Sequence, residues 1–203
     1  MFTGIIQQTG SIEQITPTGD GRLFHIDAGP LAERLQPKDS LAVNGTCLTI
    51  VSSQGHSVQM VAIHQTLQMT TLGRLEVGSC VNLEPAATLN SFLGGHLVQG
   101  HVDGVARVRE VLPRETGCEI IVGFPQNLMR YIIDKGSIAL DGVSLTVAEK
   151  GSDFLRIALI PETLERTILS EWGPGSLINV EVDPIGKYVE NFLQGFSAEK
   201  RNG

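Results

Sequence analysis

The sequence predicts an all-β protein with two similar small antiparallel barrels in tandem, followed by a C-terminal α-helix. Three observations lead to this fold class. The chain repeats itself at an offset of 97 residues, each half consists mostly of short alternating stretches, and the last residues change to a helical spacing. A closed antiparallel barrel suits each half, because closure leaves no exposed sheet edge.

The duplication is clearest in three pairs of segments, in which half of the 28 aligned positions are identical. A repeat this long indicates a duplicated domain rather than a solenoid unit. The aligned segments are 38–51 with 135–148, 66–72 with 163–169, and 78–84 with 175–181. We therefore predict one barrel over residues 1–92, a second over 93–185, and a tail over 186–203 without a counterpart.

Within each half, strand-like stretches such as 57–61 and 118–122 alternate apolar and polar residues between turn residues. The 23 glycines supply many of the turns. Residues 30–35 and 126–133 occupy matching places in the two halves and predict one short helix in each.

The tail carries apolar residues at spacings of four, three and four, namely Ile185, Val189, Phe192 and Phe196. This spacing is typical of a helix with one apolar seam. A helix of this length is not stable alone in water, so its seam must be covered. Two coverings stay open: the chain's own barrel, or the same helix of other subunits.

Composition excludes several classes of protein. The net charge of −7 and the absence of a Lys/Arg cluster exclude a typical nucleic-acid binder. The apolar runs are far shorter than the roughly 20 residues of a membrane span, so we expect no membrane partner. The three cysteines and five histidines lack paired spacing. We therefore expect neither disulfides nor a metal site, as in a cytoplasmic protein.

Several segments together resemble the riboflavin synthase family (alpha chain), in order and over nearly the whole length. The resemblance implies two six-stranded Greek-key barrels that each bind 6,7-dimethyl-8-ribityllumazine. It implies a dismutation of two lumazines into riboflavin without cofactor or metal, in a homotrimer with active sites between subunits. Packaging by lumazine synthase stays open. The segments are MFTGII (1–6), NGTCLT (44–49), GGHLVQGHVDG (94–104), DGVSLTV (141–147), IPETLERT (160–167) and INVEVDPIGKY (178–188).

The repeat aligns two triplets that are the strongest candidates for the site: Cys47, Leu48 and Thr49, and Ser144, Leu145 and Thr146. In a strand the first and third residues share one face, so each pair can look into a pocket at a barrel mouth while the leucine enters the core. The family match implies that Cys47 acts as nucleophile or proton shuttle. A lone cysteine is more often a small buried apolar residue, and we assign that role to Cys80 and Cys118.

Two further glycine-containing segments are equivalent in the repeat, and we expect them to offer exposed strand edges to the flat ring: Gly4, Ile5 and Ile6, and Gly100, His101 and Val102. We expect Lys135 and His101 near the second pocket, with Lys135 binding the ribityl chain or developing negative charge. The family implies that Ser40 lies close to the reacting rings. It also implies that Asp183 is a catalytic or site-assembling carboxylate, with helix capping as the alternative.

The last predicted substrate-binding segments are paired strand ends, Val61, Ala62, Ile63, His64, Gln65 and Thr66 in the first half, and Ala158, Leu159, Ile160, Pro161, Glu162 and Thr163 in the second. In the family they wrap the ring and the ribityl hydroxyls. The first half departs from this pattern, because Gln65 is uncharged where the family has a glutamate. This departure suggests that the N-terminal site has a lower affinity for the lumazine.

Two rival functions remain. One is a lumazine- or flavin-binding protein of the same fold that has lost catalysis; Cys47, Ser144, Thr146, Lys135 and the intact segment 160–167 argue against it. The other is a flavin-binding reductase barrel. That class needs a following nucleotide-binding domain with a glycine-rich phosphate loop, and the chain has no such loop.

Overall fold

The computed structural model describes residues 1–199, with side chains as far as Leu193. Two closed antiparallel barrels of six strands each are followed by one long helix, which confirms the predicted fold class. The strands of the first barrel are β1 (Gln8–Thr18), β2 (Gly21–Asp27), β3 (Ser40–Val43), β4 (Thr46–Gln54), β5 (Ser57–Ala62) and β6 (Cys80–Pro85).

The second barrel repeats this order along the chain. Around each barrel the neighbours are 1-2-5-4-3-6 and, equivalently, 7-8-11-10-9-12. Three consecutive strands joined by hairpins, with the preceding strand beside the third, form a Greek key. The strands of the second barrel are β7 (Gly104–Pro113), β8 (Cys118–Gly123), β9 (Ser137–Leu140), β10 (Val143–Lys150), β11 (Phe154–Leu159) and β12 (Leu177–Val182).

Each barrel has its own apolar core because its strands alternate inward and outward residues. In the first barrel Phe24, Ile50 and Met60 are among the most deeply buried, and in the second Ile120 and Val147. The hairpins β3–β4 and β9–β10 turn on Asn-Gly and Asp-Gly, with both residues of each turn at positive φ. Such turns match the natural twist of a two-residue hairpin.

The two hairpin turns meet between the barrels. A Cβ placed on Gly45 would lie 2.6 Å from the Gly142 nitrogen, so only glycine permits this approach. Two buried amides then cross the interface: the Asn82 side chain donates to the Asp141 carbonyl (2.9 Å), and the Asn179 side chain donates to the Asn44 carbonyl (2.8 Å). The barrels therefore pack with approximate two-fold symmetry about this contact.

The short helices differ from the prediction. The segment 30–35 becomes a 3-10 helix, Gly29–Arg34, and only Met129–Tyr131 of the segment 126–133 is helical. Two unpredicted α-helices, α1 (His64–Met69) and α2 (Pro161–Arg166), follow β5 and β11. Six residues are too few to establish a helical period in the sequence.

The predicted tail helix is present as α3 (Pro184–Glu199). Two ion pairs fasten it to the second barrel: Lys187 with Asp103 at 2.6 Å and Arg130 with Glu190 at 2.8 Å. The predicted seam residues Ile185, Val189 and Phe192 are exposed, whereas the side chain of Phe196 lies outside the described part of the chain. Among the described helices, none has the length and apolar character to cross a bilayer.

Candidate functional site

The first candidate site is the outer wall of the first barrel, formed by β3 and β4. Leu48 is buried in the core as predicted, while Cys47 is half-buried and Thr49 exposed. The register places Ser40 directly opposite Thr49, so the two side chains share one face. Three predicted site residues are therefore neighbours, but on the outside of the barrel wall rather than in its mouth.

The second barrel builds the same wall from β9 and β10. Leu145 is buried, Ser144 is half-buried and Thr146 is exposed. Ser137, which the sequence analysis missed, lies opposite Thr146 as Ser40 lies opposite Thr49. The repeat offset alone would have identified it. Each wall thus carries a thiol or hydroxyl, a threonine and a serine at equivalent register positions.

The ends of β5 and β11, the strands that follow β4 and β10 in the sequence, lie at the borders of these walls. Ile50 pairs with Met60, so Thr49 lies beside the end of β5, and Val147 pairs with Ile157 in the same way. Ala62 and Leu159 are buried, and the two segments leave the sheet at Ile63 and Ile160. The prediction of paired strand ends is wrong beyond that point, because α1 begins at His64 and α2 at Pro161. Gln65, Thr66, Glu162 and Thr163 lie on these helices.

Two short segments cross between the barrels. Residues 2–6 form the N-terminal crossing segment, and residues 98–102 form the linker crossing segment. Ser144 N–H donates to the Gly4 carbonyl (2.8 Å), and Cys47 N–H donates to the Gly100 carbonyl (2.9 Å). The N-terminal crossing segment thus pairs with the wall of the second barrel, and the linker crossing segment pairs with the wall of the first. Phe2 joins the two segments through an antiparallel bridge to Val98.

This crossing corrects the expectation of exposed edges. Gly4 and Gly100 are buried, and their carbonyls already pair with β10 and β4, because the segments extend those walls. A Cβ on Gly4 would lie 2.6 Å from the Ser144 Cβ, and one on Gly100 would lie 2.5 Å from the Cys47 Cβ. Ile5 is exposed, and Ile6 packs against the core of the second barrel.

His101 and Lys135 do not form one group. His101 and Val102 follow Gly100 in the linker crossing segment, so His101 lies at the Cys47 end of the first wall instead of at the second. The Lys135 ammonium donates to the Ala148 carbonyl (2.9 Å), on the strand that carries Ser144. Lys135 therefore stays with the second wall, as expected, and His101 does not.

His96 is a site residue that the sequence analysis missed. Its Nδ1 lies 2.7 Å from the Ser144 Oγ, and the buried Nε2 has no hydrogen-bond partner within the described residues. Burial lowers the pKa of His96, and the negative charge of Asp183 partly opposes that shift. A neutral imidazole beside a hydroxyl can accept a proton from it. His96 has no repeat mate, so the duplication could not reveal it.

Asp183 stands between β12 and α3, where its carboxylate accepts the Ile185 N–H at 2.9 Å. The capping contact is therefore present. Asp183 also lines a cleft of about 570 Å³ together with Ser137. A cleft of about 620 Å³ includes Ser40 and Ile5 in the first half. The repeat relates the two clefts, since Ser40 and Ser137 are equivalent.

The donor set of a metal site does not occur in the part of the chain that the structure describes, where no three His, Cys, Asp or Glu side chains cluster suitably. The three cysteines are free thiols. Cys118 packs half-buried against the second core, but the buried role predicted for Cys80 is wrong, because Cys80 is exposed at the start of β6.

Comparisons with known proteins agree with this duplicated arrangement. The family model described as "Lumazine binding domain" matches twice, over residues 3–86 and 99–183. The riboflavin synthase of Actinobacillus pleuropneumoniae is 40% identical over 95% of this chain and 90% of its own length. That of Bacillus subtilis is 38% identical, covering 98% and 93% respectively, and that of Escherichia coli 37%, covering 100% and 96%.

Solved structures are similar over the same range. LumP complexed with 6,7-dimethyl-8-(1'-D-ribityl) lumazine superposes with a TM-score of 0.82 at 29% identity, covering 90% of this chain and 99% of LumP. LumP complexed with riboflavin gives 0.83 at 32% identity with the same coverage. The two matched domains, and curated relatives of this identity over nearly the full length, place the chain in the riboflavin synthase family.

Proposed function

We propose that this chain is a riboflavin synthase that converts two molecules of 6,7-dimethyl-8-ribityllumazine into riboflavin and 5-amino-6-(D-ribitylamino)uracil. The observation that carries the proposal is the pair of equivalent walls, with Cys47 and Thr49 on one and Ser144 and Thr146 on the other. A reaction between two copies of one substrate needs two similar binding sites. Holding both copies in register supplies the proximity that a bimolecular step otherwise lacks.

The chemistry begins at the acidic 7-methyl group of one lumazine, which must lose a proton before a carbon–carbon bond can form. Ser144 with His96 at 2.7 Å is the acid–base pair for this step at the second wall. Ser144 gives its hydroxyl proton to the neutral imidazole as its oxygen takes the methyl proton, and the charge of Asp183 stabilises the imidazolium that forms. Lys135, whose ammonium donates to the Ala148 carbonyl of β10, is placed at this wall to stabilise developing negative charge or bind the ribityl chain.

The first wall contributes a thiol at the equivalent position. Cys47 acts as a nucleophile or proton shuttle toward the second lumazine. Ser40 lies on the same face of the wall, opposite Thr49, and His101 lies at the Cys47 end. The ribityl hydroxyls extend toward α1, where Gln65 offers neutral hydrogen bonds only. In the second half Glu162 offers a carboxylate, which also pairs with Arg166 at 3.3 Å. We therefore expect tighter ribityl binding at the second wall.

The proposal includes a homotrimer in which the first barrel of one chain faces the second barrel of its neighbour. The exposed apolar residues of α3 support it, because Ile185, Tyr188 and Phe192 are each more than 60% exposed on one chain. Association with lumazine synthase, which makes the substrate, is part of the same proposal. The free thiols support a cytoplasmic location.

A turnover assay tests the function. The purified protein is incubated with 6,7-dimethyl-8-ribityllumazine alone, and riboflavin is detected by its fluorescence. We expect riboflavin to form without added metal, nucleotide or reductant. Stable lumazine binding without turnover would favour the second candidate function, a lumazine-binding protein without catalysis. The similarity to LumP in complex with a lumazine supports that candidate.

A further inference from the structure

A buried glutamate holds each crossing segment. The glutamate belongs to one barrel, and the segment that it holds pairs with the wall of the other barrel. Glu84 lies on β6 of the first barrel and is 4% exposed. One of its oxygens accepts the Thr3 N–H and the Thr3 hydroxyl, both at 2.7 Å, and the other accepts the Gly4 N–H at 3.0 Å. The N-terminal crossing segment is therefore fixed by the first barrel.

Glu181 repeats this arrangement on β12 of the second barrel, where it is 3% exposed. It accepts the Gln99 N–H at 2.6 Å, the Gly100 N–H at 2.8 Å and the His101 N–H at 3.0 Å. The linker crossing segment is therefore fixed by the second barrel. Burial raises the pKa of both glutamates, and the backbone donors oppose the rise.

The held residues are those that extend the opposite walls. Gly4, bonded to Glu84, accepts the Ser144 N–H, and Gly100, bonded to Glu181, accepts the Cys47 N–H. We propose that Glu84 and Glu181 are positioning residues that act across the barrel interface, Glu84 on the site around Ser144 and Glu181 on the site around Cys47. The inference rests on the proposed function, in which each wall binds one lumazine.

A glutamine at either position separates this role from simple space filling. The carboxamide keeps the shape of the side chain, but its NH₂ group must face at least one backbone N–H. Two donors cannot bond to each other, and a buried donor left without an acceptor is costly. The crossing segment should then loosen, and the wall residue beneath it should become more accessible, while the other wall keeps its cover.

Thiol alkylation measures this accessibility without any substrate. Cys47 is the natural probe of the first wall, and Ser144→Cys places an equivalent thiol on the second. Both are followed by iodoacetamide labelling and peptide mass spectrometry in the full-length protein. We expect Glu181→Gln to speed labelling at position 47 by about fivefold or more, the effect of losing one buried hydrogen bond. Glu84→Gln should do so only at position 144.

The two variants are each other's controls. Cys80 and Cys118 are internal references, because their strand partners (Ser11 for Cys80, Leu159 and Pro113 for Cys118) lie outside both crossing segments. If Glu84→Gln fails to fold, Thr3→Val removes one bond to Glu84 and should change position 144 alone. The proposal would be overturned if a variant changed the labelling rate equally at positions 47 and 144, or at neither. It would also be overturned if Glu181→Gln changed only position 144, or Glu84→Gln only position 47. A protein that shows the crossed labelling pattern yet forms no riboflavin would contradict the proposed function and leave the positioning role intact.

Discussion

The buried Asp141 should make the stability of this protein depend on pH in a direction opposite to most carboxylates. Its oxygens accept the Asn179 N–H (2.8 Å) and the Trp172 indole N–H (3.2 Å). Burial nevertheless raises its pKa from 3.8 to about 7, because these bonds only partly replace water. At 1.36 kcal/mol for each pKa unit, the difference amounts to about 4 kcal/mol.

The sign follows from proton uptake. Between about pH 4 and pH 7 the folded protein retains the Asp141 proton and the unfolded chain has lost it. The contribution of Asp141 to the free energy of unfolding therefore falls as the pH rises through this window and is constant above it. The first half provides the matched variant, because Asn44 and Leu75 stand where the second half has Asp141 and Trp172. Asn44 accepts the Asn82 N–H at 2.7 Å in the equivalent bond.

Denaturant unfolding at fixed protein concentration, from pH 4 to pH 8, compares the wild type with Asp141→Asn combined with Trp172→Leu. The double variant avoids placing the new carboxamide against the indole N–H. We expect its stability relative to the wild type to increase by about 3–4 kcal/mol across this range. Other buried carboxylates are common to both proteins and cancel. Parallel pH profiles for the two proteins would refute the reasoning.

Three other perturbations have defined outcomes. Cys47→Ala should lower turnover about 10²-fold or more, as expected for a positioned nucleophile or proton shuttle, and alanine at the other two cysteines should cost little; equal losses would make the thiol merely structural. Deleting residues 187–203 should give a smaller species by sedimentation with much reduced turnover, and a monomer of full activity would exclude sites between chains. A fragment of residues 1–96 should form a dimer, in which the Gly4 carbonyl of each copy accepts the Cys47 N–H of the other, as the Gly100 carbonyl does in the full chain. A monodisperse monomer would contradict this.

Much of the fold follows from patterns within the chain. The repeat predicts two barrels, and the alternation at Leu48 and Leu145 predicts which residues enter the cores, because a strand has a fixed period of two. Equivalent positions then identify Cys47 and Ser144 as counterparts. These inferences need only local geometry and the internal comparison.

The remaining features depend on contacts between distant parts of the chain. The crossing segments exchange barrels, and nothing in the local sequence of Gly4 or Gly100 shows which wall they extend. His96 contacts Ser144 across 48 residues and has no repeat mate. The outer position of the walls, rather than the barrel mouth, follows from the closure of the sheets. The helices α1 and α2 are stabilised by tertiary packing, since six residues are too few to be helical alone.

The stoichiometry of the reaction tests the central claim most directly. The protein is incubated with 6,7-dimethyl-8-ribityllumazine as the only organic reactant, and all species are quantified by chromatography over time. Two walls that hold two copies of one substrate predict that two lumazines disappear for each riboflavin formed, with one 5-amino-6-(D-ribitylamino)uracil released. Riboflavin formation that requires an added carbon donor, or one riboflavin for each lumazine consumed, would contradict the account.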